Sequence, residues 1–182
     1  MSYKKWILVA IVLFGIGLIF GLATPTSIIN LLFEDMATLQ ELGDILVPFK
    51  FLTVILFLAK NALSLLLSFA LSPFFCLVPI FALTVNGWLL AFVAAAVIQE
   101  ESLGFVLAGL LPHGIFEIPA FIMGEAAALS FGSMAVLALF KKEKRELLLP
   151  NLKQNLRYFM VALALLVPAA IIETYITPLL LT

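Results

Sequence analysis

Long runs of apolar residues dominate this chain. Residues 6–23 and 73–98 contain no charged side chain. A helix needs about 20 such residues to cross the hydrocarbon core of a bilayer. Of the 182 residues, 64% are hydrophobic and only 12% are charged, whereas soluble domains are about half apolar and about a quarter charged. The sequence therefore predicts an all-α, polytopic transmembrane helical bundle and excludes a soluble globular domain.

Five of the runs are long enough to cross a membrane. We expect the first, which follows two lysines, to be retained as a span rather than removed as a signal peptide. All five belong to a single integral membrane domain that covers residues 1–182. The predicted spans are residues 6–23, 49–71, 73–98, 115–140 and 158–181.

Three further segments connect or precede the spans. Residues 27–46 place apolar side chains at helical spacing opposite an acidic side, which predicts an amphipathic helix on the outer surface. Residues 102–140 are too long for one span and too short for two with a loop, and Pro112 and Gly114 divide them. We therefore expect a re-entrant half-helix at 102–114. Residues 141–152 form a charged connector on the inner side.

The distribution of charge predicts the orientation. Basic residues precede the first span and fill the connector 141–152, whereas acidic residues cluster at 34–44 and 100–101. Cytoplasmic loops carry the excess of lysine and arginine. We therefore expect a multi-pass protein of the cell membrane with its N-terminus in the cytoplasm and its C-terminus outside.

Several classes of function are excluded or unsupported. With a net charge of −1 the chain has no basic surface for nucleic acid, and a lone cysteine, Cys76, permits no disulfide framework. The sequence contains no phosphate-binding glycine loop, zinc-finger spacing or complete catalytic constellation, so we expect no enzyme activity and no cofactor. The expected partners are the lipid bilayer and other membrane or envelope proteins, and a homo-oligomer stays open.

A few polar side chains interrupt the spans. Each costs about 2.5 kcal/mol or more if it faces lipid, so each should face protein or water. Because His113 and Glu117 are four residues apart, they lie on one face of a helix, which Glu125 shares only in part. We predict one buried polar cluster made of Lys60, Asn61, Asn86, His113, Glu117 and Glu173.

Three uses of this cluster stay open. In the first, it is a structural network in which Lys60 neutralises a carboxylate. In the second, it is a path for ions or a small solute. In the third, His113, Glu117 and Glu173 are ligands of a metal, although no metal is assigned from the sequence.

Three stretches of the chain resemble one known family. Residues 110–132, LLPHGIFEIPAFIMGEAAALSFG, are similar to the signature of the stage II sporulation protein M family. Residues 57–93 resemble its asparagine-containing span followed by a span with Asn-Gly, and residues 170–178, AIIETYITP, resemble its closing segment. The resemblance covers about residues 50–180. The matching positions are Asn61, Asn86, Gly87, Pro112, His113, Gly114, Glu117, Pro119, Glu173 and Pro178.

The resemblance implies a role for the protein and for its motif residues. The polar matching positions belong to the predicted cluster, and we expect Gly87, Pro112, Gly114, Pro119 and Pro178 to shape the backbone. In spore-forming bacteria the family member is a membrane scaffold that anchors cell-wall-degrading partners and is not itself the hydrolase. We therefore expect a non-enzymatic scaffold or partner-anchoring protein. A small-solute or ion transporter or channel, and an intramembrane metal-binding protein, are the alternatives.

Overall fold

A computed structural model describes residues 3–25 and 48–181, with the backbone alone at Glu100. Five of its helices are long and apolar enough to cross a membrane, and the described residues contain no strand, which confirms the predicted all-α class. The predicted outer helix at 27–46 lies outside the described residues. The helices are α1 (Tyr3–Leu22), α2 (Phe51–Leu71), α3 (Leu77–Glu100), α4 (Leu103–Phe140), α5 (Leu148–Tyr175) and α6 (Thr177–Leu180), with a 3-10 helix (Lys142–Leu147) between α4 and α5.

Helix α4 lacks the break that we predicted near Pro112. The expected half-helix at 102–114 and the span from 115 are one continuous helix of 38 residues. It begins where the Ser102 hydroxyl accepts a hydrogen bond from the Phe105 amide, 3.1 Å away. Pro112 lies inside the helix, and Gly114 does not have the positive φ that a reversal would favour. A proline removes one backbone hydrogen bond, whereas a turn at membrane depth would leave several backbone groups without partners.

Two other boundaries also differ from the prediction. The inner connector is shorter than 141–152, because α5 already begins at Leu148 with a proline in its first turn. The last span ends at Tyr175 and not at 181, and the short helix α6 follows it. In both cases a proline opens a helix, because its missing N–H lies among amides that have no partner within the helix.

Helix α4 is the centre of the bundle and contacts every other described helix. One of its sides packs Ala120, Ala127 and Ala128 against α2 and α5. The other packs Ile122, Ala126 and Leu129 against α1 and α3. The alanines allow helices to approach closely where association depends on van der Waals packing, as it does in a membrane.

Helices α1 and α3 touch backbone to backbone. A Cβ atom at Gly17 would overlap the backbone of Thr84, and one at Gly87 would overlap the carbonyl of Phe14. Only glycine fits at such a crossing. Gly87 therefore shapes the backbone packing by allowing α3 to approach α1 closely.

Helix directions follow from pairs of contacts. Asn61 and Ser68 on α2 bond to Glu117 and Glu125 on α4, so these two helices run parallel. Helix α5 runs antiparallel to α4, because it continues into Thr177, which faces His113, while Ala162 packs near Ala128. Each of the three helices α2, α4 and α5 also contacts the other two.

Candidate functional site

Three ionisable side chains meet between α4 and α5. His113, Glu117 and Glu173 each place one nitrogen or oxygen atom within 4.8 Å of the others. Asn61 from α2 and Thr177 from α6 border them. We call Asn61, His113, Glu117, Glu173 and Thr177 the polar centre.

The fold explains why these residues meet. His113 and Glu117 are one helical turn apart on α4 and point to the same side. The antiparallel α5 brings Glu173 to that level near its C-terminal end. Pro178 lies in the first turn of α6, and this short helix turns Thr177 back against His113.

The Glu117 carboxylate has two different partners. Asn61 donates a hydrogen bond from its Nδ2 to the Glu117 Oε1, at 2.9 Å. His113 Nε2 lies 3.8 Å from the other oxygen, Oε2, which is too long for a direct hydrogen bond. The Glu117 side chain is 31% exposed, so the polar centre reaches the surface of the bundle.

The His113 ring is held from its other side. Its Nδ1 lies 3.5 Å from the Thr177 hydroxyl, and the side chain is 14% exposed. In the tautomer that carries its hydrogen on Nδ1, the ring can donate a hydrogen bond to the Thr177 hydroxyl, and the lone pair is then on Nε2. That nitrogen is the one that lies 3.8 Å from the Glu117 Oε2.

Lys60 lies beside the polar centre and is not buried in it. Its side chain is exposed on α2, where it acts electrostatically on Glu173. Within the part of the chain that the structure describes, Lys60 forms no ion pair. The prediction that Lys60 is a buried member of the cluster is therefore corrected. Its long stem carries the ammonium away from the apolar contacts of α2.

Asn86 lies elsewhere. It is exposed on α3, and its Nδ2 donates to the Ala82 carbonyl of the same helix, at 2.8 Å. The adjacent Gly87 lies against α1, and Asn86, about 100° from it around the helix axis, is exposed. The expected place of Asn86 in the cluster is wrong.

Glu125, which is not among the predicted members of the cluster, is a second buried polar position on α4. It is fully buried, and the Ser68 hydroxyl donates to its Oε2. Its Oε1 has no hydrogen-bond partner among the described residues. The spacing of residues in the sequence could have predicted this pair. Asn61 and Ser68 are seven residues apart on α2, and Glu117 and Glu125 are eight residues apart on α4. Parallel helices with these spacings form two polar pairs.

The other residues that we expected to shape the backbone divide into two groups. Pro112 and Pro119 are inside α4, and a Cβ atom at Gly114 would make only an ordinary contact with Ile118. These three positions do not end a helix. Pro178 does begin one.

The family model named Stage II sporulation protein M matches residues 7–178 of this chain. The chain belongs to the stage II sporulation protein M family. The match covers nearly the whole chain, including most of α1, which carried little of the sequence resemblance. Together with the five long apolar helices, membership supports a location in a membrane.

Two relatives come from the archaeon Methanocaldococcus jannaschii. The uncharacterized protein MJ0793 is 29% identical over 173 residues, which are 94% of this chain and 93% of that protein. The uncharacterized protein MJ0706 is 32% identical over 130 residues, which are 69% of this chain and 56% of that protein. No solved structure gives a significant match.

Proposed function

We propose that this protein is a non-enzymatic membrane scaffold that holds other membrane or envelope proteins in place. The observation that carries the proposal is that the side chains of the polar centre contact one another between different helices. Asn61, Glu117, His113 and Thr177 follow one another in space from α2 through α4 to α6. These groups face one another across helix boundaries, as expected of a centre that fixes the arrangement of the helices.

The strength of such contacts suits a structural role. Polar contacts between helices in a bilayer contribute roughly 1 kcal/mol each. The close glycine crossing of α1 and α3 adds a second fixed contact on the opposite side of α4. The bundle would then present a rigid surface to its partners.

The length of α4 indicates where partners bind. Its 38 residues span about 57 Å at about 1.5 Å per residue, well beyond a hydrocarbon core of about 30 Å. Leu103 and Leu107 at its start, and Leu139 and Phe140 at its end, are exposed. Apolar side chains beyond the hydrocarbon core need cover, which a partner protein would supply.

Photo-crosslinking in cells of the source organism tests the proposal. A photoreactive residue at Leu107 or Phe140 should form a discrete adduct with another protein. The same residue at Leu8, exposed on α1, is the control and should mainly label lipid. If neither end of α4 forms a protein adduct above the Leu8 control, the scaffold proposal is wrong.

Ion or solute handling is the second candidate. It is favoured by one observation, the 31% exposure of the Glu117 side chain, because a carboxylate in a span should face protein or water and such residues mark ion pathways. Purified protein in proteoliposomes should then carry protons or metal ions, and Glu117→Gln should abolish the flux. Absence of flux from the unmodified protein would remove this candidate.

A further inference from the structure

The polar centre contains a donor set that its structural role does not require. We propose that His113, Glu117 and Glu173 bind one divalent transition-metal ion of the Zn²⁺ type between α4 and α5. The site goes beyond the scaffold role, since a bundle held by polar contacts needs no metal.

The donor atoms are of the right kind. An imidazole nitrogen and carboxylate oxygens are ordinary ligands of Zn²⁺ and of similar first-row ions. They come from two helices, α4 and α5, so they converge only in the folded protein. Three protein ligands would leave a fourth position for water.

The distances between the donor atoms of His113, Glu117 and Glu173 fit three ligands of one ion better than they fit direct hydrogen bonds. With metal–ligand distances of about 2.0–2.2 Å, the ligand atoms of a tetrahedral zinc site lie about 3.3–3.6 Å apart. His113 Nε2 and Glu117 Oε2 are 3.8 Å apart, and all three donors lie within 4.8 Å. Small side-chain rotations would bring the donors to coordination distance.

The neighbouring groups orient the ligands. Asn61 occupies the Glu117 Oε1 and leaves Oε2 directed at His113. Thr177 faces the His113 Nδ1, which leaves Nε2 for the ion. Metal-bound histidines and carboxylates in proteins commonly have outer partners of this kind.

The charges also favour a cation. Two carboxylates lie close together, and the nearby Lys60 is exposed and forms no ion pair among the described residues. A divalent ion would offset the repulsion between the carboxylates more directly than the lysine does.

The test uses the full chain in lipid nanodiscs, without a polyhistidine tag, stripped with a chelator and titrated with Zn²⁺ by calorimetry. We expect one Zn²⁺ per chain and a higher melting temperature when it is bound. His113→Ala and Glu173→Gln should lose the bound ion. Glu125→Gln is the matched control, a carboxyl on the same helix outside the site, and should still bind one ion. Asn61→Ala should weaken binding by roughly 10–100-fold.

A second measurement needs no variant. Because His113 is the only histidine, nitrogen NMR of protein labelled at histidine reports this site alone. We expect Zn²⁺ to shift its Nε2 resonance. The proposal is overturned if the unmodified protein binds no Zn²⁺, if the Nε2 resonance does not respond, or if folded His113→Ala and Glu173→Gln proteins bind it as the unmodified protein does. Those results would leave the crosslinks from the ends of α4 unaffected, so the scaffold role is tested separately.

Discussion

At the scale of single residues, Glu117 is the link between the elements of the polar centre. It accepts a hydrogen bond from α2 through Asn61, and it lies next to His113 and Glu173. The Asn61 amide is a neutral donor, so it needs a hydrogen-bond acceptor at position 117 but not a negative charge there. The shape and hydrogen-bonding capacity of residue 117 should therefore matter more to stability than its charge.

Two substitutions separate these properties. Glu117→Gln keeps an acceptor for Asn61 and should leave most of the stability intact. Glu117→Leu leaves the partly buried amide of Asn61 without its acceptor and should lower the free energy of unfolding by roughly 1–3 kcal/mol. Reversible unfolding of the purified protein in mixed micelles measures both. Equal losses for the two variants would contradict this account of Glu117.

Ser68 should matter for a related reason. It is the hydrogen-bond partner of the fully buried Glu125, whose other oxygen has none among the described residues. Ser68→Ala should therefore cost roughly 1–3 kcal/mol. Ser64, one turn earlier on the same helix and exposed, supplies the control, and Ser64→Ala should change stability by less than about 0.5 kcal/mol. The same unfolding assay compares the two, and a loss from Ser64→Ala as large as that from Ser68→Ala would be inconsistent with the Ser68–Glu125 contact.

The sequence could predict only part of this site. The four-residue spacing of His113 and Glu117 indicates a shared face, and Glu173 was expected in the same cluster. The sequence does not say which face of α3 meets the bundle, so Asn86 was wrongly included. Glu125 was missed because its partner, Ser68, is a small hydroxyl residue that many spans contain.

At the scale of helices, the contacts of glycine decide how closely α1 and α3 approach. Gly17 lies against the backbone of α3, whereas nothing lies within 4 Å of a Cβ placed at Gly15. The two glycines are two residues apart on one helix, so they differ in packing and hardly in local propensity.

This difference gives a matched pair of variants. Gly17→Leu should force α1 away from Thr84 and cost about 1–3 kcal/mol or more. Gly15→Leu should be nearly neutral or slightly stabilising, because leucine favours helix more than glycine does. Melting temperatures in detergent compare the two. A larger loss from the Gly15 variant would show that α1 packs through another face.

The continuity of α4 could not be predicted from the sequence. Proline and glycine at 112–114 are common both in turns and in kinked membrane helices, and length alone favoured two pieces. Helix α4 continues through Pro112 and Pro119 because each interior proline removes a single backbone hydrogen bond, which is fewer than a turn inside the membrane would remove. The other four long apolar helices were predicted from hydropathy, which depends on composition and not on tertiary contacts.

At the scale of the whole molecule, the chain is a helical bundle organised around α4, with the polar centre on one side and the glycine crossing on the other. Its orientation in the membrane remains a prediction from the charges. In a background with Cys76→Ser, a cysteine at Lys142 should react only with reagents that enter the cell, whereas one at Leu181 should react from outside. If an impermeant reagent labels position 142, the orientation is the opposite of the predicted one.

The central claim is that α4 and α5 bring Glu117 and Glu173 to one point inside the bundle. Pairwise cysteine crosslinking in membranes tests it most directly. In the same cysteine-free background, Glu117→Cys with Glu173→Cys should be joined by a short bismaleimide reagent, whose length makes up for the two longer glutamate side chains that meet at the site. The control pair Asn86→Cys with Glu173→Cys should not. Rapid crosslinking of the control pair, with none between positions 117 and 173, would contradict the arrangement on which the polar centre and both proposals depend.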